Sequence, residues 1–175
     1  ERAVVNQLVR SPGVFFTGAQ DPITGKTLHS TEIRPVHGSW LEFSTTRYGT
    51  ITVKIDRRRK FLATTFLRAL GISDTETLKE KFKDLAGEDG KVGLIESTLQ
   101  KDETTNETEA LVEIFKKMHP GEPVVLDKVK EYFTNLFFNN RRYDLGAVGR
   151  YKMNKRLHAV PGFYPSEERV LTIED

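Results

Sequence analysis

The sequence predicts an α+β fold, in which a small antiparallel β-sheet is joined to a helical subdomain. In the first half of the chain, short runs rich in β-branched and aromatic residues alternate with turn-forming segments. In the second half, apolar residues recur at the three- and four-residue spacing of amphipathic helices.

The predicted strands come first. Residues 1–10 form a candidate strand, 10–16 a turn of the chain, and 17–26 a polar loop with two glycines and a proline. Three β-rich runs follow, with 47–49 as a hairpin turn between the last two: 27–36, 39–46 and 50–56. In the last run apolar and polar residues alternate, which indicates one buried face and one solvated face. The apolar residues are Ile51, Val53 and Ile55.

Helices are predicted over 59–71, 74–85, 91–102, 106–118, 126–138 and 146–157. Gly71 stands where a C-terminal cap belongs, and either Ser73 or Asp74 can cap the second helix. The fifth helix has the clearest apolar stripe, and it contributes to an aromatic cluster of the core or of a subunit interface: Phe133, Phe137 and Phe138. Residues 158–175 are predicted as an irregular tail with room for a final strand.

Composition and motifs exclude several classes of function. No apolar run approaches the ~20 residues of a membrane helix, and the N-terminus lacks a signal-peptide pattern. The chain has no cysteine, which excludes disulfides and suits a cytoplasmic protein, and its four histidines are too scattered to predict a metal site. We find no nucleophile elbow, phosphate loop or zinc-protease helix, and therefore predict no catalytic residue in this chain.

The formal net charge of +2 hides a strong segregation of charge along the chain. Residues 73–116 contain 12 acidic residues and 6 lysines, whereas 47–68 contain seven basic residues against Asp56 alone. A second basic stretch covers 141–156, and its cations are Arg141, Arg142, Arg150, Lys152, Lys155 and Arg156. Segregation of this kind is typical of a protein with two differently used faces.

The basic run at 57–60 directly follows a predicted strand. One interpretation is a solvated turn, and a second is a nuclear-localisation signal. A third is a surface for a polyanion, which the excess of arginine favours because the planar guanidinium binds phosphate bidentately.

Trp40 is the only tryptophan of the chain. A lone tryptophan is usually a partly buried core residue. If the side chains of 39–46 alternate between the two faces of a strand, however, Trp40 shares a face with Glu42 rather than with Leu41 and Phe43. An exposed indole beside arginines is a stacking platform for an unpaired base, worth about 1–3 kcal/mol per base.

Five ordered blocks of the sequence closely resemble the β subunit of bacterial DNA-directed RNA polymerase. They are VVNQLVRSPGVFF, GSWLEF, KIDRRRKFLATTFLRALG, EIFKKMHPGEP and NLFFNNRRYDLGAVGRYKMNKRL. They match the lobe domain, so the chain is predicted to be a piece of a much larger subunit. The resemblance implies that 1–14 come from the adjoining protrusion, that 15–157 form the lobe, and that 158–175 form an exit tail toward the protrusion.

The resemblance also implies a site for the single-stranded non-template strand of the transcription bubble. Arg10 and Asp56 would line a pocket for an unstacked guanine, and Trp40 would stack on a neighbouring base. Further arginines would line the path or contact the backbone of the strand: Arg57, Arg59 and Arg142. Another set matches the edge of the rifamycin-binding region: Arg2, Val5 and Gln7. His119 stands where the family usually has arginine, which weakens a DNA contact because an unperturbed histidine is mostly uncharged near neutral pH.

The implied partners are DNA (the non-template strand and the downstream duplex) and the rest of the polymerase, namely the remainder of β with the β′, α and σ subunits. Transcription regulators and a cytoplasmic, nucleoid-associated location are implied as well. In the whole enzyme two Mg²⁺ ions would support nucleotidyl transfer, but no cofactor and no catalysis are expected in this chain. The alternative prediction is a protein–protein docking module for σ factor or transcription regulators, which would use the acidic helix predicted at 74–85 and exposed remnants of subunit interfaces.

Overall fold

The computed structural model describes residues 2–4, 10–83, 93–158, 163–165, 167–173 and 175. These residues form a five-stranded antiparallel sheet and six helices, which confirms the predicted α+β class. The strands are β1 (Gly13–Gln20), β2 (Thr27–Arg34), β3 (Leu41–Thr45), β4 (Ile51–Ile55) and β5 (Phe61–Leu62). The helices are α1 (Ala63–Ala69), α2 (Thr75–Lys81), α3 (Leu94–Leu99), α4 (Glu107–Met118), α5 (Leu126–Phe137) and α6 (Gly146–Leu157).

The strands follow one another across the sheet in chain order, as a meander. The register places one row of apolar residues across four neighbouring strands: Val14, Ile33, Leu41 and Ile55. All four are buried. One face of the sheet therefore packs on the core, as the alternation in β4 predicts.

The structure corrects the prediction for the segment 10–26. Residues 13–20 are a strand rather than a turn and loop, and every one of them pairs with β2. Only 21–26 form the connection. The polar half of β1 is in a strand because it pairs with β2, where the Thr17 Oγ1 and Ser30 Oγ atoms lie 2.9 Å apart. Of the strand predicted at 1–10, residues 2–4 and 10 are not in a strand, and residues 1 and 5–9 lie outside the described residues.

The helix ends follow the predicted caps. Gly71 has a φ of +98° and closes α1 in a Schellman motif, in which the Ile72 amide donates to the Leu67 carbonyl at 3.1 Å. Asp74, not Ser73, caps α2 by accepting from the Thr77 amide at 2.8 Å. The first predicted helix is shorter than expected because 61–62 pair with β4 as a short strand. The described tail residues contain no strand, so the predicted final strand is absent from them.

Phe66 of α1 lies at the centre of the core. Four phenylalanine rings surround it with centroids 5.8–6.2 Å away: Phe43, Phe61, Phe133 and Phe137. Of the aromatic cluster predicted on the fifth helix, Phe133 and Phe137 are buried and Phe138 is partly buried against the core. The sheet, α1 and α5 are thus joined by one aromatic cluster.

Candidate nucleic-acid interface

Trp40 lies between a tight loop and the first residue of β3. In that loop Gly38 has a φ of +121°, and a Cβ at this position would lie 2.8 Å from the Tyr143 ring. Only glycine fits so close to Tyr143 in this conformation. The Trp40 amide donates to Asp56 Oδ1 at 2.8 Å, and the Asp56 amide donates to the Trp40 carbonyl at 2.9 Å. The backbone of Trp40 is therefore fixed, and the indole is left half-buried.

The turn after β4 has an unusual backbone. Asp56 and Arg57 have φ values of +50° and +58°. A non-glycine residue in this left-handed region costs roughly 1–2 kcal/mol, although aspartate tolerates it better than most. Observed strain of this kind concentrates at functional sites. Here it lets Asp56 reach back to the Trp40 backbone while Arg57 approaches the indole.

Three guanidinium groups surround the Trp40 ring. The Cζ atoms of Arg34 and Arg57 lie 5.2 Å from the ring centroid, and that of Arg10 lies 5.7 Å away. Arg10 and Arg57 are exposed, and neither has a carboxylate within salt-bridge distance among the described residues. Arg34 is paired with Glu32, whose Oε2 accepts from Nε at 2.8 Å. The indole is thus held in a strongly positive environment.

A second aromatic ring continues this face. Arg34 Cζ lies 4.6 Å from the Phe15 centroid, so one guanidinium contacts both Phe15 and Trp40. Arg156 Cζ and Lys152 Nζ, both on α6, lie 5.6 Å and 6.0 Å from the Phe15 ring. We call this set the aromatic–arginine face. Its members are Arg10, Phe15, Arg34, Trp40, Asp56, Arg57, Lys152 and Arg156.

The structure brings some of the predicted site residues together and leaves others apart. Arg10, Trp40, Asp56 and Arg57 belong to the aromatic–arginine face. Arg59 is exposed on the same turn. Arg142 is exposed and lines a separate cleft of about 370 Å³ with His37, Ser39 and Tyr132. Arg2 is exposed, whereas Val5 and Gln7 lie outside the described residues. A DNA contact of each of these residues stays a prediction.

Two arginines counted as part of the basic surface are buried instead. Arg68 is 4% exposed and donates to the carbonyls of Ser73 and Thr105. Arg150 is fully buried, and its guanidinium donates to Asp175 Oδ1 at 2.7 Å and to the carbonyls of two tail residues, Glu168 and Val170. These side chains hold loops and the tail in place. They do not contribute to a surface for a partner.

Four members of the face were not predicted to lie near Trp40, although the last two were counted in the second basic stretch: Phe15, Arg34, Lys152 and Arg156. They come from β1, β2 and α6, and only the fold brings them to Trp40. One signal was present in the sequence for Arg34, because alternation in a strand places Glu32 and Arg34 on one face. No local pattern joins α6 to β1.

His119 is packed between rings at the end of α4. Its ring is stacked on Phe115 at 5.0 Å and meets Tyr132 edge-on at 4.9 Å. Its Nδ1 lies 3.2 Å from Glu122 Oε1. Arg58 donates to the Met118 carbonyl at 3.2 Å and thereby ties the basic turn to the same helix end.

The described residues contain neither a candidate metal site nor a membrane-spanning helix. No group of three or more histidine, aspartate or glutamate side chains in this part of the chain is arranged to hold a metal ion. None of the helices it contains is long and apolar enough to cross a membrane.

The fold is thus an α+β module that presents an aromatic ring among arginines at one end of its sheet. The sequence matches the family RNA polymerase Rpb2, domain 2, over residues 10–174. The chain therefore belongs to this family, which confirms the resemblance to the polymerase lobe. Membership identifies a part of the second-largest subunit of DNA-directed RNA polymerase, which acts as a nucleotidyltransferase as an assembled complex. It also implies DNA and the other polymerase subunits as partners.

Proposed function

We propose that the aromatic–arginine face holds the displaced, unpaired DNA strand while the polymerase keeps its duplex open. The observation that carries this proposal is the half-buried indole of Trp40 with three guanidinium groups within 5.7 Å. Stacking on the indole replaces part of the base stacking that is lost on melting, and the arginines attract the phosphates.

The chemistry of Arg10 and Asp56 supports recognition of a guanine beside Trp40. Asp56 Oδ1 already accepts from the Trp40 amide, but Oδ2 accepts no hydrogen bond from any described residue. A carboxylate oxygen is an acceptor for the N1–H and N2–H groups of guanine, and a guanidinium donates bidentately to guanine O6 and N7. The pair therefore offers complementary groups to both edges of this base.

We also propose that the protein is bacterial and cytoplasmic, and that the Mg²⁺-dependent nucleotidyl transfer takes place in other parts of the polymerase. Docking of σ factor or of regulators on the acidic helix predicted at 74–85 stays the alternative. The two roles differ in their dependence on the strand itself. Docking does not require an indole in contact with a base.

The test is a double-mutant cycle in the whole polymerase, in which a substitution in the protein is combined with removal of one base from the DNA. Trp40→Ala is expected to shorten the lifetime of the open promoter complex by about 5- to 150-fold, the equivalent of one stacked base. When the stacked base is replaced by an abasic site, wild type and variant should have equal lifetimes. Tyr48→Ala is the control, since Tyr48 is an exposed ring that also has two cations near it, Arg47 and Lys101. Equal lifetimes for Trp40→Ala and wild type on intact DNA would contradict the proposal.

A further inference from the structure

The cations of α6 have hydrogen-bonding capacity that the fold leaves unused. The Lys152 ammonium donates to Ser11 Oγ, and the Arg156 guanidinium donates to the Val14 carbonyl. An ammonium has three donors and a guanidinium has five. No carboxylate of a described residue lies within salt-bridge distance of either group, whereas Arg34 on the same face is paired with Glu32.

Both cations lie beside a ring that is continuous with the Trp40 site. Each is within 6.0 Å of the Phe15 centroid. The Arg34 guanidinium lies over Phe15 at 4.6 Å and over Trp40 at 5.2 Å, so it links the two rings. A DNA strand that has one base stacked on Trp40 and runs toward β1 would carry its next phosphates to the cations beside Phe15.

From this arrangement we propose that Lys152 and Arg156 form a second subsite, which binds backbone phosphates of the same unpaired DNA strand beyond the base stacked on Trp40. The proposal rests on the strand-holding function argued above. Phe15 provides the apolar wall of the subsite, and Arg34, neutralised by Glu32, sets the spacing between the two rings. The ligand is the phosphodiester backbone, so the subsite is independent of base sequence.

A purely structural role would leave a different signature. The bonds to Ser11 and Val14 attach α6 to the start of β1, and loss of that attachment alone would lower the stability of the chain. It would not change how binding responds to salt, nor would it depend on the charge of one particular phosphate. Binding of phosphates does both, because each neutralised phosphate releases counterions.

The experiment uses the whole polymerase carrying Lys152→Gln with Arg156→Gln, and promoters with a neutral methylphosphonate at single positions of the displaced strand. The slope of the logarithm of open-complex affinity against the logarithm of salt concentration is expected to become shallower by about 1.4, from two single-strand phosphates at roughly 0.7 each. A methylphosphonate at the contacted positions should reduce the effect of the double variant on open-complex affinity, and methylphosphonates at other positions should not. Lys155→Gln, an exposed residue of the same helix, should leave the slope unchanged.

Two outcomes overturn the inference. One is a salt dependence of open-complex affinity that the variant leaves unchanged. The other is an effect of the variant on affinity that is the same wherever the methylphosphonate is placed. If the double variant lowers the melting temperature, Lys152→Gln alone keeps the Arg156–Val14 bond and should show about half the slope change. Trp40→Ala with abasic templates is measured alongside. If the effect of Trp40→Ala depends on the stacked base but the effect of the α6 variant does not depend on any phosphate, only the second subsite is contradicted. If neither dependence is found, the strand-holding function is contradicted as well.

Discussion

Trp40 and Asp56 hold each other by two hydrogen bonds: the Trp40 amide donates to the Asp56 carboxylate at 2.8 Å, and the Asp56 amide donates to the Trp40 carbonyl at 2.9 Å. Asp56→Ala removes the acceptor for the Trp40 amide and places alanine at a φ of +50°. We expect a loss of about 1–3 kcal/mol in the free energy of unfolding, from the hydrogen bond and the backbone together. Asp56→Asn keeps an oxygen acceptor and a residue that tolerates this conformation, and should lose less than half as much. Urea unfolding of the chain measures both, and equal losses would contradict the account.

Arg57 allows stability and function to be separated. Its φ of +58° is strained for arginine but not for glycine. Arg57→Gly should therefore leave the free energy of unfolding unchanged or raise it by up to about 1 kcal/mol, while it shortens the lifetime of the open complex. Arg57→Ala removes the same charge without the relief of strain. If Arg57→Gly lengthens the lifetime, the positive charge beside Trp40 has no role in holding the strand.

Phe66 joins the sheet to the helices, since four rings pack around it. Phe66→Ala should lower the free energy of unfolding by about 3–5 kcal/mol because it opens a cavity in a packed aromatic core. Phe16→Ala is the control of the same chemistry, since Phe16 is 55% exposed and should cost under about 1 kcal/mol. Chemical denaturation of both variants checks this, and similar losses would show that Phe66 is not at the centre of the core.

The local patterns of the sequence predicted much of this architecture, because strand alternation and helix caps are properties of neighbouring residues. The alternation in β4 and the caps at Gly71 and Asp74 follow from such rules. The strand Gly13–Gln20 did not, since its polar half takes its conformation from pairing with β2.

The residues alone pointed to Trp40 and to the basic run that contains Arg57, and only the family resemblance grouped them with Arg10 and Asp56. Arg34 and Lys152 reach the site through the packing of β2 and α6. A count of charges also cannot distinguish an exposed arginine from a buried one. This is why Arg150 was assigned to a basic surface although it is fully buried.

Arg150 is expected to stabilise the fold rather than bind a partner. Arg150→Met leaves the buried Asp175 carboxylate without its cation and two tail carbonyls without a donor. We expect a loss of about 3–5 kcal/mol in the free energy of unfolding. Arg141→Met, at an exposed position, should cost less than about 0.5 kcal/mol. Thermal unfolding compares the two, and a loss for Arg150→Met no larger than the control would show that the guanidinium is not required.

Asp102 should make stability depend on pH. Burial alone would raise the pKa of this carboxyl group, but hydrogen bonds from the Thr104 amide and hydroxyl and from the Thr65 hydroxyl hold the pKa below its ordinary value of 3.8. The folded chain therefore keeps Asp102 ionised to lower pH than the unfolded chain does. Its contribution is fully present above the ordinary pKa and is lost as the pH falls below that value, through the folded-state pKa.

The measurement is the difference in the free energy of unfolding between wild type and Asp102→Asn across this range. The difference should be about 3 kcal/mol near neutral pH, since the variant leaves Arg68 buried and unpaired, and it should shrink below about pH 4. Asp127→Asn, at an exposed position of α5, serves as the control. A difference that is constant with pH would show that ionised Asp102 is not what the fold stabilises.

The central claim is that an unpaired base stacks on Trp40, and the most direct measurement is the fluorescence of this indole. Because the chain has a single tryptophan, its emission reports on this ring alone. Titration with single-stranded oligonucleotides should quench the emission, whereas abasic oligonucleotides of equal length and charge should bind through their phosphates and quench much less. If anisotropy of a labelled oligonucleotide shows binding while the emission is unchanged, or if both oligonucleotides quench equally, the indole does not stack on a base.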